Sequence, residues 1–297
     1  MRCGRVAVIG RANAGKSTLI NVIVGEKVSI TSPKPQTTRD RILAVYNAED
    51  CQIVFEDTPG VYKAANLLND RMQKATENAA KDVDLILMLI DAHAGLKSED
   101  SGLIGRFTGK GIPVIVALTK TDISTPERLT EAAKIIGEND GIELVTAISA
   151  RTGKNVKKLI ELIKKRLPEQ EPLFPLDVIS DKSERFMLGE IMREKILLKY
   201  QKEIPHGVAV IVNSFEKRKG GAAFVSVDIV CEKPNHKAIL IGKQGKALKE
   251  TASYARESME KFLGCKVYLE TYVKVKDDWR DRPDRLREYG YSEENFI

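Results

Sequence analysis

The sequence predicts an α/β protein built in two parts: a doubly wound mixed sheet, followed by a smaller α+β domain with the order α-β-β-α-α-β. Three observations carry this expectation. From Arg5 to Leu167, short β-branched runs alternate with amphipathic helical stretches, the pattern of a mostly parallel sheet covered on both faces. Pro168, Pro172 and Pro175, with Glu169, Gln170 and Glu171 among them, then form a polar, proline-punctuated stretch. Beyond it the regular alternation stops. The expected boundaries are residues 1–170 for the first domain, 171–178 for a linker and 179–297 for the second domain with its tail.

Taken in order, the first strand is Val6 to Ile9 and the first helix Lys16 to Val24. Strands at Ile42 to Tyr46 and Gln52 to Glu56 are separated only by Asn47 to Asp50, too short for a crossover, so they must form an antiparallel hairpin and make the sheet mixed. Further strands are expected at Leu85 to Ile90, Val114 to Leu118 and Leu144 to Ile148, and helices at Asn69 to Lys81, Glu99 to Lys110, Pro126 to Glu138 and Val156 to Arg166. The second domain opens with a helix over Glu184 to Tyr200. Two strands follow, Val208 to Phe215 and Ala222 to Val230, joined by the basic turn Glu216 to Gly221. A short helix over Lys237 to Ile241, a loop over Gly242 to Gly245, a long helix over Lys246 to Phe262 and a strand over Lys266 to Val275 complete it. The tail from Asp277 to Ile297 mixes charges with Trp279, Tyr289, Tyr291 and Phe296, and is compatible with docking on a domain or with remaining mobile.

Composition sets bounds on function. A chain of 297 residues is long enough for two domains, each with its own core. The net charge of +6 divides evenly between the halves; it permits an acidic partner such as RNA without identifying one. Cys3, Cys51, Cys231 and Cys265 are scattered, with no C-x-x-C spacing, and read as small buried hydrophobes in a reducing compartment. No leader and no run of membrane-spanning length is visible, so a soluble cytoplasmic protein is expected.

Chemistry enters with Gly10, Arg11, Ala12, Asn13, Ala14, Gly15, Lys16 and Ser17, a G-x-x-x-x-G-K-S phosphate loop between a strand and a helix, with Thr18 beside it. Glycines let backbone NH groups close around a polyphosphate, Lys16 reaches the outer phosphates, and the Ser17 hydroxyl faces Mg2+. Downstream, Asp57, Thr58, Pro59 and Gly60 fit D-x-x-G. Alone that is an ordinary turn; one hairpin after a phosphate loop, the carboxylate can reach magnesium through water and the Gly60 NH can sense a γ-phosphate. Between the two lies the polar segment Ser29 to Arg41, in which either Thr37 or Thr38 can join the metal only while the triphosphate is intact. Thr119, Lys120, Thr121 and Asp122 end an apolar strand, where the Asp122 carboxylate can accept two hydrogen bonds from the Watson–Crick edge of guanine. Ser149 and Ala150 occupy the place of a loop offering backbone NH to the base.

With these motif positions in order, the first domain resembles the translation-factor-related GTPases. The resemblance implies GTP and GDP as ligands, catalytic roles for Lys16, Thr38 and Gly60, and Thr38 as the switch threonine. Two departures stand out. Thr119 replaces the asparagine of N-K-x-D that ties the base loop to the phosphate loop, which puts tight nucleotide binding in question. Val61 stands where Ras-like relatives carry a water-orienting glutamine, so hydrolysis is expected to be slow or assisted from elsewhere. Relatives with asparagine at the Asn13 position can hold K+ beside the phosphates, which makes Asn13 a candidate for part of that help.

Ile241, Gly242, Lys243, Gln244, Gly245 and Lys246 form a G-x-x-G loop between helices, with Lys237 and Lys249 nearby. Alone it is a turn, but in this element order the two glycines let a backbone approach a nucleic-acid strand, and an adjacent apolar groove can hold about four unstacked bases. The pattern resembles a type II KH domain. A GTPase domain followed by one such domain resembles the Era family over nearly the whole chain. The resemblance implies binding to single-stranded rRNA at the 3′ end of the small-subunit RNA, assistance to small ribosomal subunit assembly, and peripheral association with the inner face of the membrane. The competing reading is a P-loop phosphotransferase or ATPase with a C-terminal protein-docking module.

Overall fold

The computed structural model describes residues 1–60, 66–109, 111–218 and 220–291. Its first sheet contains β1 (Arg2–Gly10), β2 (Ile42–Asn47), β3 (Cys51–Asp57), β4 (Leu85–Asp91), β5 (Val114–Thr119) and β6 (Leu144–Ala147), in the order β2-β3-β1-β4-β5-β6. All neighbours are parallel except β2 and β3, the hairpin that the short connection demanded. β1 starts well before the apolar run, because Arg2 to Arg5 find backbone partners on Cys51 to Val54 and Cys3 is fully buried. One face of the sheet, through Val6, Val8, Leu87 and Ile115, packs on α1 (Lys16–Val24) and α5 (Val156–Lys164). The other, through Ile9, Ile86, Met88 and Val116, packs on α3 (Ser98–Phe107) and α4 (Pro126–Gly137). Two apolar faces, each covered by helices, make the doubly wound architecture.

α2 covers Leu67–Ala79, earlier than the apolar pattern indicated, because the Asn66 side chain caps it by accepting from the Asn69 NH at 3.0 Å. After α5 the proline-rich stretch is not a free tether. The Gln52 side chain accepts from the NH groups of Leu173 and Phe174 at 2.7 and 2.9 Å and donates to Phe174 O at 2.8 Å. Farther on, Ile179 O accepts from the Val45 NH at 2.9 Å and Asp181 Oδ1 from the Leu43 NH at 2.9 Å, so the segment runs along β2 and covers that sheet edge.

The second sheet has the order β7-β8-β9, with β7 (Ala209–Lys217) antiparallel to β8 (Ala223–Cys231) and β8 parallel to β9 (Val267–Val275). A parallel pair needs a crossover, supplied by α7 (Pro234–Ile241) and α8 (Lys246–Leu263). α7 begins earlier than expected, with Pro234 in its first turn, where the missing NH has no helical partner to lose. α6 (Glu184–Lys199) and α8 close one face of this sheet through Leu188, Ile191, Met192, Ile196, Ala255 and Met259.

The tail docks. Trp279 is completely buried, donates Nε1–H to Gly207 O at 3.0 Å, and meets the Tyr289 and Tyr291 rings at centroid distances of 5.6 and 6.0 Å. With Leu286 of α9 (Pro283–Glu288) these rings fill a seam whose walls are Leu68, Met72 and Ala75 of α2 and Ala209 and Val230 of the second sheet. Residues 292–297, Phe296 among them, lie outside the described residues.

Candidate functional site

The phosphate loop follows β1 directly. A Cβ at Gly10 would stand 2.5 Å from Leu89 O, and Gly15 holds φ +95°, so both positions need glycine for reasons present in the backbone itself. Lys16 Nζ donates to Gly10 O at 3.0 Å and to Arg11 O at 3.2 Å, which lays its ammonium along the loop. The Arg11 side chain points away, to Asp100 Oδ1 at 2.7 Å, so only its backbone belongs to the cradle. Gly60 closes the loop from the other side: a Cβ there would lie 2.9 Å from both N and Cα of Ala12.

Three sequence-predicted oxygens converge. Ser17 Oγ donates to Asp57 Oδ2 at 2.8 Å and lies 2.9 Å from Thr38 Oγ1, which singles out Thr38 over Thr37; the Thr37 hydroxyl donates instead to Lys34 O at 2.7 Å. Asp57 is fully buried and its Oδ1 has no hydrogen-bond partner. An all-oxygen set with an unspent carboxylate lone pair suits a hard cation such as Mg2+ whose other ligands come from phosphate and water. Electrostatics agree. Burial drives Lys16 down to about 8, with Asp57 opposing, and drives the Asp57 carboxyl up despite Lys16, so each gains from an opposite charge: phosphate for the one, a metal ion for the other.

On the base side, Thr119 Oγ1 donates to Ala14 O at 2.8 Å. The shorter hydroxyl thus makes the tie to the phosphate loop that its replacement of asparagine had put in question. Lys120, at φ +58°, pairs with Asp91 at 2.6 Å. Asp122 Oδ1 accepts from Ser149 Oγ at 2.7 Å, and that hydrogen bond holds its carboxyl below the usual range, which favours the charged form. Ser149 spends its own NH on Lys154 O at 3.1 Å, which of the two expected base-contacting residues leaves only Ala150 with its amide uncommitted to that carbonyl. Thr58 Oγ1 and the Thr121 NH are structural, bonded to Val8 O and Ile148 O. Val61 lies outside the described residues.

A cavity of about 600 Å³ runs from Ala12, Asn13, Lys16 and the exposed Thr18 past Thr38 and Gly60, and its far wall includes Glu194 and Leu198 of α6. Here the segment 29–41 is fastened to the second domain. Arg193 donates to Thr37 O and, at 3.4 Å, to Gln36 O; Glu194 accepts from the Thr31 NH at 3.0 Å and pairs with Lys27 at 2.7 Å; Lys34 donates to Tyr200 O. Arg39 is buried and donates to Val208 O and His206 O, both at 2.7 Å. Burial, then the neighbouring Glu190, pushes the Asp40 carboxyl up to about 7. Asn13, at φ +64°, reaches the same segment through a 2.5 Å bond from Nδ2 to Pro33 O. Sequence reasoning missed Glu190, Arg193 and Glu194. Their signal is a charged i, i+3, i+4 triplet set among the apolar Met187, Leu188, Ile191, Met192, Ile196 and Leu197 of the same helix.

The G-x-x-G loop sits between α7 and α8. Gly242 (φ 72°) could carry no side chain, since a Cβ would lie 2.6 Å from Ala247 Cβ; Gln244 and Gly245 are also left-handed, at φ 52° and 74°. The turn exposes Lys243, Gln244, Lys246 and Lys249, with Lys237 and Ile241 half-buried and the exposed Ile239 beside them. It is anchored to the end of α6: Tyr200 Oη donates to Leu240 O at 2.8 Å, and Lys199 Nζ to Ala247 O at 2.8 Å.

Residues 5–120 match the family described as 50S ribosome-binding GTPase, and residues 203–280 that described as KH domain. A Clostridium kluyveri protein named GTPase Era is 44% identical over 98% of this chain and 99% of its own; a Clostridium botulinum protein of the same name is 41% identical over 98% of each. A solved Aquifex aeolicus Era variant bound to GDP.AlF4− superposes with TM-score 0.94 at 38% identity, covering 98% of this chain and all of that one. Era in complex with MgGDPNP and nucleotides 1506–1542 of 16S ribosomal RNA gives the same score and identity over 98% of this chain and 99% of that one.

Proposed function

The chain belongs to the Era family of GTPases, and from that membership we propose that it is a GTP-operated switch which binds the 3′ end of small-subunit ribosomal RNA and assists assembly of that subunit. The family description over residues 5–120 mentions the large subunit, whereas the complex that matches nearly the whole chain holds 16S RNA. The full-length comparison carries more weight, because the RNA-binding half lies outside residues 5–120.

In this reading residues 1–170 bind GTP and residues 179–291, at the least, bind RNA, with the stretch 171–178 laid along β2 between them. Gly10 to Thr18 wrap the phosphates, Asp122 and Ala150 read guanine, and Ser17, Thr38 and Asp57 hold Mg2+, which when bound neutralises charge on the phosphate oxygens. Lys16 meets the charge that develops on the transferred phosphoryl group, and the Gly60 NH, packed against Ala12, registers whether the γ-phosphate is present. In the same reading the Asn13 amide oxygen ligates K+ beside the phosphates. Hydrolysis should then be several-fold faster in K+ than in Na+, and equal rates remove that role. No helix among the described residues is long and apolar enough to cross a membrane, so a membrane location would be peripheral.

The observation that carries the proposal is α6. Midway it holds the switch segment through Arg193 and Glu194; at its end Tyr200 joins Lys34 of that segment to Leu240, two positions before the G-x-x-G loop. A change in residues 29–41 cannot leave this helix end untouched. RNA affinity is therefore expected to differ about tenfold between the GTP-analogue and GDP forms, and by linkage RNA should shift the nucleotide preference by the same factor. Titration of a labelled RNA carrying the 3′ end of small-subunit rRNA into both forms measures it. Equal affinities would refute the switch.

A further inference from the structure

Arg193 belongs to the RNA-binding side of the seam, yet its guanidinium ends inside the GTPase. It is 1% exposed, oriented by Glu190 through Nε at 2.6 Å and Nη2 at 2.5 Å, and Nη2 and Nη1 also donate to the carbonyls of Thr37 and Gln36. Two successive carbonyls can face one guanidinium because Gln36 holds φ +61°, a conformation that non-glycine residues keep only with support. The next residue is Thr38, whose hydroxyl lies 2.9 Å from Ser17 Oγ, and the one after is Arg39, plugged into Val208 O and His206 O. Thr38 is thus bracketed on both sides by contacts with the second domain.

We propose that Arg193 is a positioning residue for GTP hydrolysis: by gripping the Gln36 and Thr37 carbonyls it fixes the turn that presents Thr38 Oγ1 to Ser17 and Asp57. The inference rests on the reading of Thr38 as the metal-facing switch threonine. The GTPase site is then completed by a side chain from the RNA-binding domain. Other fasteners across the seam, Lys27 with Glu194 and Arg39 with Val208 and His206, hold the domains together without Arg193. Its role is therefore separable from simple adhesion.

The test is a cycle in the full-length chain with R193K, T38A and the double variant. Lysine keeps a positive charge beside Glu190, but one ammonium cannot serve a carboxylate and two carbonyls as a planar fork does. R193K should keep its GDP affinity within about twofold while weakening a GTP analogue about tenfold in Mg2+ and little in EDTA, and should lower kcat about tenfold. Amide hydrogen exchange over residues 36–39 should speed up even without nucleotide. In the T38A background, adding R193K should change kcat less than about twofold, because the residue through which it acts is gone. Equal losses in both backgrounds, or equal weakening of GDP and the analogue, would overturn the proposal while leaving Thr38's role intact. A T38A variant with wild-type kcat and analogue affinity would overturn that role and the proposal with it. If R193K does not fold, the neutral pair E190Q/R193Q enters the same cycle, with the same outcomes deciding.

Discussion

Replacing Asp122 with asparagine is expected to weaken GTP binding by about a thousandfold and to shift preference toward xanthosine triphosphate. Two charge-assisted hydrogen bonds to the guanine edge at about 1.5–3 kcal/mol each correspond to roughly 10²–10⁴ in affinity, and the variant removes the charge from both and sets an NH2 donor against one of the base's own donors. Asparagine has almost the same shape, and its Oδ1 can still accept from Ser149 Oγ, as Asp122 does at 2.7 Å, so the loop geometry should survive. Its amide NH2 can donate to the carbonyl that xanthine carries in place of guanine's amino group. Competition of GTP, ATP and xanthosine triphosphate against a fluorescent nucleotide reads the effect. A uniform fall for all three would mean that Asp122 shapes the loop and does not read the base.

What was legible in the sequence follows from how local the physics is. The backbone geometry of the phosphate loop and of D-x-x-G was readable because it is set, within a few positions, by glycines that nothing else can replace. Gly10 and Gly60 bear this out, one crowded by Leu89 O and the other by Ala12. Thr119 was harder: whether a hydroxyl can do the work of an amide depends on how close β5 runs to Ala14, a tertiary distance. Glu190, Arg193 and Glu194 were illegible for a related reason. α6 is buried on two sides, its apolar residues against the second sheet and Glu190, Arg193 and Glu194 toward residues 29–41, and a charged stripe on an isolated helix looks like a solvated face. Trp279 is the same problem in the tail. Its pocket does not exist until α2, β7 and β8 stand side by side.

The double substitution K243D/Q244D is expected to abolish detectable RNA binding at physiological salt, a loss of about a hundredfold or more, and to flatten the salt dependence that remains. Both side chains are exposed at the tip of the G-x-x-G turn, so neither contributes to the core, and the unfolding midpoint and GDP affinity should stay at wild-type values as controls on the fold. At a single-stranded ligand each phosphate contact adds about 0.7 to the slope of log affinity against log salt, and two aspartates turn an attracting tip into a repelling one. Gln244 sits at φ 52° between Lys243 and the left-handed Gly245, a turn that aspartate also tolerates, so the change alters charge more than backbone. A conservative partner, K243Q, should cost only the electrostatic part and show the shallower slope. The contrast separates an RNA clamp from a protein-docking module: full retention of RNA affinity in K243D/Q244D would assign the loop to docking. It would also remove the reason for α6 to run from the nucleotide pocket to Leu240, since the switch would then have no RNA contact at the far end of that helix to control.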